Sequence, residues 1–101
     1  MPRALAPAFA LLAGLAAPAQ AAEYLFVGKW DCEVATMTFT NRTYNNGSET
    51  LRYTSITFGK GEDVRLHFPK NYVITLSNVT RTSMNWFSSA SGDGFTCKRL
   101  P

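Results

Sequence analysis

The side chains that could perform chemistry are few and scattered in this chain of 101 residues. It has one histidine, His67, and two cysteines, Cys32 and Cys97. His67 stands in an alternating segment, on the parity that faces solvent, with no serine-nucleophile motif beside it. General acid–base catalysis needs opposed carboxylates in a pocket that shifts their pKa values, whereas the acidic pair at 62–63 and Asp93 lie in glycine-flanked loops. We therefore expect a protein that is not an enzyme.

The first residues have the pattern of a secretory signal peptide. Arg3 gives a positive start, residues 4–17 form an apolar run, and Ala19-Gln20-Ala21 supplies the small side chains that a signal peptidase requires. The apolar run is shorter than the ~20 residues that span a bilayer, so we expect no retained transmembrane segment; a retained anchor is the alternative. We predict that residues 1–21 are cleaved, with Ala22 as an equally plausible last residue of the leader, and that residues 22–101 form one domain. The Ala- and Pro-rich leader indicates a bacterial protein of the periplasm or the exterior.

Charge and cysteine content restrict the partners and the compartment. Removal of Arg3 leaves nine basic against seven acidic side chains, with no run of Lys or Arg, and this does not favour nucleic acid. Two cysteines are too few for a closed zinc site. A small exported domain has a marginal core and needs a covalent link in an oxidising compartment. We therefore predict a Cys32–Cys97 disulfide, no metal and no cofactor.

Alternation of apolar and polar residues runs through the mature chain and predicts an all-β fold. In residues 26–34 the apolar side chains share one parity and the charged side chains share the other, as a half-buried strand requires. The pattern recurs between turn residues, and its parity slips at Thr54-Ser55, where we expect a bend. The prediction is an antiparallel meander of seven or eight short strands closed into a small barrel, with the disulfide joining the first and last strands. A β-sandwich is the alternative.

The side chains predicted to point inward are large enough to fill such a barrel. A barrel of about eight strands has an interior just wide enough for side chains or for one small ligand. Trp30 and Trp86 are expected in this core, and a bound small ligand is not expected. The other residues predicted to point inward are Phe26, Val34, Met37, Phe39, Tyr44, Leu51, Tyr53, Ile56, Phe58, Val64, Leu66, Phe68, Ile74, Leu76, Val79, Met84 and Phe95.

Gly28-Lys29-Trp30 resembles the Gly-x-Trp of the lipocalin first strand, in which the tryptophan closes the floor of the barrel. In lipocalins a late arginine packs across that tryptophan. The resemblance implies that Arg99 packs on Trp30 by stacking and cation–π attraction. It also implies a barrel and, as an alternative function, the binding of a small ligand, although lipocalins are considerably longer than this chain.

Ser89-Ala90-Ser91-Gly92 resembles a motif of the small periplasmic inhibitors of C-type lysozyme, which are compact barrels with one disulfide. Those inhibitors carry Ser-Gly-x-x-Tyr, often preceded by Ser-Ala, in a loop that enters the lysozyme cleft. Here Phe95 stands in place of the tyrosine, and Trp86 precedes the motif instead of following it. The resemblance implies that Ser91 and Gly92 enter the cleft, with Lys60 or Lys98 available to pair with carboxylates of the enzyme.

We expect a non-catalytic protein that binds a protein partner, most concretely an inhibitor of a lysozyme-type hydrolase. Val73 and Phe87 have outward parity and could form an apolar contact patch. The alternative is an accessory subunit that docks through this patch onto the periplasmic side of a membrane protein complex. The candidate partner-binding residues are Ser89, Ser91, Gly92, Asp93, Val73 and Phe87.

Overall fold

The computed structural model describes residues 23–60 and 63–101, so the predicted signal peptide, residues 1–21, lies outside the described residues. Within the described ranges, a 3₁₀ turn at Pro69–Asn71 joins the sixth and seventh of nine strands. No helix in these ranges is long and apolar enough to cross a membrane. The strands are β1 Gly28–Asp31, β2 Thr36–Phe39, β3 Thr43–Asn45, β4 Thr50–Arg52, β5 Ser55–Phe58, β6 Val64–Phe68, β7 Tyr72–Ser77, β8 Ser83–Ser88 and β9 Gly94–Arg99.

The nine strands form one antiparallel sheet in the order β4-β3-β2-β1-β9-β8-β7-β6-β5. This confirms the predicted all-β antiparallel meander, with nine strands where seven or eight were expected. The outer strands β4 and β5 follow each other in the chain and are joined through Tyr53 and Thr54, beside the predicted bend. No ladder joins β4 to β5 in the described chain. The sheet is therefore a curled half-barrel, not the fully closed barrel that we predicted.

The two ends of the domain lie side by side. β1 pairs with β9 through Trp30↔Arg99 and Asp31↔Lys98. Cys32, directly after β1, forms a disulfide with Cys97 in β9 across 65 positions of sequence. This confirms the predicted link between the first and last strands. Such a bond is typical of an oxidising, extracytoplasmic compartment.

Large side chains pack against one another on the concave face of the sheet. Ring contacts run from Phe26 to Phe39, Tyr44 and Phe68, with centroid distances of 6.0, 4.9 and 5.9 Å. Such close packing of apolar groups is the main source of stability in a small domain. The buried residues are Phe26, Trp30, Cys32, Met37, Phe39, Tyr44, Val64, Leu66, Phe68, Ile74, Leu76, Val79, Met84, Trp86 and Cys97, with Leu51, Tyr53, Ile56 and Phe95 partly buried beside them.

Two residues predicted to point inward are exposed instead. Val34 is 66 % exposed because β1 ends at Asp31 and the chain then turns. In this turn Cys32 N donates to Ala35 O at 3.0 Å, and the φ of +71° at Glu33 interrupts the alternation. Phe58 is 59 % exposed because it is the last residue of an outer strand, beyond the edge of the core.

Candidate functional site

The hairpin between β8 and β9 brings the predicted partner-binding residues together. β8 ends at Ser88 and β9 begins at Gly94, so residues 89–93 form the connecting loop, which we call the hairpin loop. Phe87 pairs with Gly94 at the base of this loop. Ser89 donates its N–H and its Oγ–H to Val73 O at 3.4 and 3.3 Å. The hairpin loop together with Val73 and Phe87 forms one continuous surface, the hairpin face.

The hairpin loop is held in one shape by its own hydrogen bonds. Gly92 N donates to Ser88 O at 2.8 Å, and Ser88 N donates to Asp93 O at 3.0 Å. Ser91 N donates to Ser88 Oγ at 3.4 Å, and Asp93 N donates to Ser91 Oγ at 3.2 Å. Gly92 has a φ of +78°, which an L side chain rarely adopts. All five loop residues are nonetheless exposed, so a rigid loop of small residues is presented to solvent.

Ser88 is a member of this arrangement that sequence reasoning missed. Its side chain is only 2 % exposed, and its Oγ accepts the hydrogen bond from Ser91 N. The sequence feature that could have indicated this role is the position of Ser88 directly before a run of small residues. It was not informative, because the same segment contains three serines.

An exposed aromatic side chain lies at the base of the hairpin loop. Phe87 is 44 % exposed on the outer side of β8, whereas Val73 on β7 is half-buried. Behind them the Trp86 and Phe95 rings stack at 5.4 Å. An open depression of about 330 Å³, lined in part by Phe87, Phe95 and Glu33, lies beside the loop. The hairpin face therefore combines an exposed loop with an apolar side chain and an open depression.

The two lysines implied by the lysozyme-inhibitor resemblance are not beside the hairpin loop. Lys60 lies in the turn after β5, at the end of the sheet opposite the loop. Lys98 lines a depression with the acidic residues Asp31 and Glu33. The Glu33 carboxylate also accepts a hydrogen bond of 2.8 Å from the Thr96 N–H. Thr96 precedes the residues of β9 that pair with β1.

Trp30 and Arg99 close the other end of the half-barrel. The Arg99 guanidinium carbon lies 4.3 Å from the centroid of the Trp30 ring. Arg99 Nη1 donates to Val27 O at 2.7 Å, Nη2 donates to Leu25 O, and Nε donates to the carbonyl of Arg81. This guanidinium therefore fastens the segment before β1 across the end of the sheet, which is a packing role.

Gly28 makes room for that arginine, a role that the sequence analysis did not assign to it. It has a φ of +141°, and a Cβ at this position would collide with Arg99 Nη1. The Trp30 indole N–H is also paired, because it donates to Phe26 O at 2.9 Å.

The segment before β1 also carries exposed apolar side chains that were not among the predicted site residues. Tyr24 is 38 % and Leu25 is 48 % exposed, and the Tyr24 ring lies 5.5 Å from that of the exposed Phe58. The signal available in the sequence was the pair Tyr24-Leu25 directly after the leader. It was overlooked because it precedes the first strand.

The interior holds two tyrosines in their neutral form. Burial, and secondarily the neighbouring Tyr72, raises the pKa of Tyr44 above its ordinary range, and its hydroxyl donates to Met37 Sδ at 3.5 Å. Burial also raises the pKa of Tyr53, whose hydroxyl donates to Thr43 O at 2.7 Å.

Trp86 and His67 are two further polar side chains whose surroundings the structure describes. Trp86 lies close enough to the Tyr44 hydroxyl to oppose part of the rise in its pKa, but its buried indole N–H has no hydrogen bond of ordinary geometry. His67 lies on the outer side of β6 and shares a hydrogen bond of 2.9 Å with Thr57. Among the residues that the structure describes, no three His, Cys, Asp or Glu side chains are grouped as metal ligands would be.

Comparison of the chain with protein-family models, with curated proteins and with solved structures finds no significant match. The two family resemblances therefore gain no support from these comparisons, and the case for a function depends on the geometry of the surfaces.

Proposed function

We propose that this is a non-catalytic bacterial protein of the periplasm or the exterior that binds a protein partner through the hairpin face. In its most concrete form it inhibits a lysozyme-type hydrolase. The observation that carries this proposal is the hairpin loop, whose five residues are all exposed and which is held by four hydrogen bonds among residues 88–93. A loop that is already ordered loses little conformational entropy on binding, so more of the contact energy contributes to affinity.

The composition of the loop suits a concave partner surface. Its residues are serine, alanine, glycine and aspartate, so it is narrow enough to enter a cleft in which larger side chains would collide. The Ser91 hydroxyl, which accepts a hydrogen bond within the loop, can still donate one, and the Asp93 carboxylate can accept hydrogen bonds inside the cleft. Phe87, at the base of the loop, supplies an aromatic contact of the kind that contributes strongly to protein interfaces.

Neighbouring strands support this hairpin on the side away from solvent. β8 pairs with β7 over Ile74↔Ser88 to Ser77↔Asn85 and with β9 over Ser83↔Lys98 to Phe87↔Gly94. Cys97 of β9 is fixed to Cys32 by the disulfide. A binding loop mounted on paired strands keeps its geometry better than one on an unsupported segment.

The test uses residues 22–101 and measures hydrolysis of bacterial cell walls by C-type lysozyme. We expect the protein to slow hydrolysis at micromolar concentration and Ser91→Arg to weaken inhibition at least about tenfold, because a bulky charge blocks insertion of the loop. Ser48→Arg changes an exposed serine in the β3–β4 turn and is the matched control, which should inhibit normally. Absence of inhibition at micromolar concentration, or equal weakening by both variants, would contradict the proposal.

The accessory-subunit alternative depends on the exposed side chain of Phe87. Comparison of Phe87→Ser with Ser91→Arg distinguishes it from the inhibitor proposal. Docking through an apolar patch depends on Phe87 and not on the depth to which the loop inserts. Under that alternative, Phe87→Ser abolishes co-purification with a membrane assembly from envelope extract, whereas Ser91→Arg leaves it unchanged. Under the inhibitor proposal, Ser91→Arg has the larger effect.

A further inference from the structure

Two grooves meet at the end of the sheet opposite the hairpin loop. β9 runs from Gly94 at that loop to Arg99, which bonds to the segment before β1. One groove, of about 370 Å³, is lined by polar side chains and is called here the donor groove. The other, of about 220 Å³, is called the apolar groove. Tyr24 lines both of them.

The donor groove is suited to a negatively charged group. Its polar lining consists of Asn41, Arg42, Arg52, Thr54 and Ser55, together with the hydroxyl-bearing Tyr24 and Tyr53, and none of the described side chains that line it is a carboxylate. Guanidinium groups donate several hydrogen bonds in a fixed planar arrangement that matches carboxylate and phosphate oxygens.

The backbone positions of the two arginines are fixed by neighbouring strands. Arg52 pairs with Thr43 across β3 and β4, and Tyr53 N donates to Arg42 O at 3.0 Å. The Tyr53 hydroxyl also donates to Thr40 O and Thr43 O, which holds the turn containing Arg42. The backbone of both arginines is therefore held by the same hairpin, and both side chains line the donor groove.

The apolar groove continues from the donor groove across the Tyr24 ring. Its walls include Leu25, Phe58, Val64 and Val79, and Leu25 and Phe58 are large side chains left exposed to solvent. Covering such surface is favourable by about 25 cal/mol per Å² of apolar area. Among the described residues that line the apolar groove, Asp63 carries a negative charge, which repels an anion and leaves the donor groove as the place for a negative head.

We infer that this end of the molecule binds a single-chain amphiphile with an anionic head, such as a fatty carboxylate or an alkyl phosphate. The head lies between Arg42 and Arg52, and the chain crosses Tyr24 and lies against Leu25 and Phe58. This site is on the outer surface, so it differs from a ligand held inside a lipocalin-like barrel. It is also independent of the hairpin face, which lies at the other end of β9.

The test is calorimetric and NMR titration of residues 22–101 with decyl phosphate below its critical micelle concentration. We expect saturable binding, with chemical-shift changes centred on Tyr24, Leu25 and Phe58. Across hexyl, octyl and decyl phosphate, affinity should rise about fourfold for each added methylene until the apolar groove is filled. The double variant Arg42→Gln/Arg52→Gln should weaken decyl phosphate binding about tenfold and leave binding of uncharged decyl glucoside unchanged.

Control variants and a titration with lipid vesicles test whether binding occurs in the two grooves and involves a single amphiphile. Phe58→Ser should weaken both decyl probes, whereas Arg65→Gln and Phe87→Ser, which lie outside both grooves, should weaken neither. All of the substituted positions are exposed, and an unchanged urea midpoint shows that a variant is folded. Unaltered decyl phosphate affinity in the double variant overturns the inference. Binding to phosphatidylglycerol vesicles without binding to monomeric decyl phosphate also overturns it, because the surface then docks on a bilayer.

Discussion

At the scale of single residues, Arg99 joins more parts of the molecule than any other side chain considered above. It contacts the Trp30 ring and donates to the carbonyls of Leu25, Val27 and Arg81. Its charge is thus compensated by backbone dipoles and an aromatic face. Because a partly buried cation needs such partners, the segment before β1 and the β7–β8 loop are both positioned by one guanidinium.

Gly28 and Arg99 should therefore be coupled in stability. We expect Arg99→Met to lower the free energy of unfolding by about 3 kcal/mol, because charge-assisted hydrogen bonds are lost. Gly28→Ala should cost more than Gly92→Ala, since a Cβ at Gly28 displaces Arg99 whereas a Cβ at Gly92 has no neighbour within 4 Å. Gly92→Ala should cost about 1 kcal/mol from its positive φ alone.

Urea unfolding of the two single variants and the double variant measures this coupling. In the Arg99→Met background, Gly28→Ala should cost at least about 1 kcal/mol less than it does in the wild type. Strictly additive free energies would show that Gly28 does not serve to accommodate Arg99.

The buried tyrosines make stability dependent on alkaline pH. The pKa values of Tyr44 and Tyr53 are raised in the folded state, so the folded protein keeps protons that the unfolded chain releases near pH 10, at about the ordinary tyrosine pKa. Above that pH the free energy of unfolding should fall by about 1.4 kcal/mol per pH unit for each tyrosine. Below it this contribution is fully present.

Urea unfolding at a series of pH values from 8 to about 11.5 checks this dependence. Above pH 10, Tyr44→Phe should make the fall of the unfolding free energy with pH less steep by about 1.4 kcal/mol per pH unit, which corresponds to one proton. This change is expected whatever the substitution does to stability at neutral pH. An identical alkaline slope in Tyr44→Phe and the wild type would show that Tyr44 does not hold its proton more tightly in the folded state.

At the scale of elements, alternation in the sequence predicted most strands because one face of each strand packs on the core. This prediction was wrong at two places where a strand ends or lies at the edge of the sheet, because alternation does not indicate where that happens. Val34 keeps the parity of Trp30, but the chain turns after Asp31 and carries it into solvent. Phe58 keeps the parity of Ile56, but within the described chain β5 is the last strand on its side of the sheet, so no further strand covers this side chain.

The candidate sites differ in the same way. The hairpin loop could be predicted because small residues between two alternating segments are a local signal. The two grooves could not, because the β3–β4 hairpin region that carries Arg42 and Arg52 meets Tyr24 and Phe58, which come from distant parts of the chain, only through the curl of the sheet. The closing role of Arg99 followed from the lipocalin resemblance and not from periodicity.

At the scale of the whole molecule, the disulfide connects the beginning and the end of the domain. Residues 32 and 97 enclose most of the described chain, so the bond restricts the unfolded state over a long loop. The chain-entropy model gives a stabilisation of about 4 kcal/mol for such a loop. For a domain this small, that is a large fraction of its net stability.

Reduction should therefore shift the unfolding transition without altering the fold at low temperature. We expect tris(2-carboxyethyl)phosphine to lower the free energy of unfolding by about 4 kcal/mol, measured by urea titration. A Cys32→Ala/Cys97→Ala variant should be insensitive to the reductant and have the stability of the reduced wild type. A transition unmoved by reductant would show that the covalent link adds nothing to the β1–β9 pairing.

The succession of β4 and β5 along the chain has a consequence for behaviour in concentrated solution. Every strand between them in the sheet order has a partner on both sides over at least part of its length, and the two outermost strands are short and meet at one corner. Unpaired strand edges are the template on which other chains add to form fibrils. By placing both edges at the same corner, the topology leaves little template for such growth.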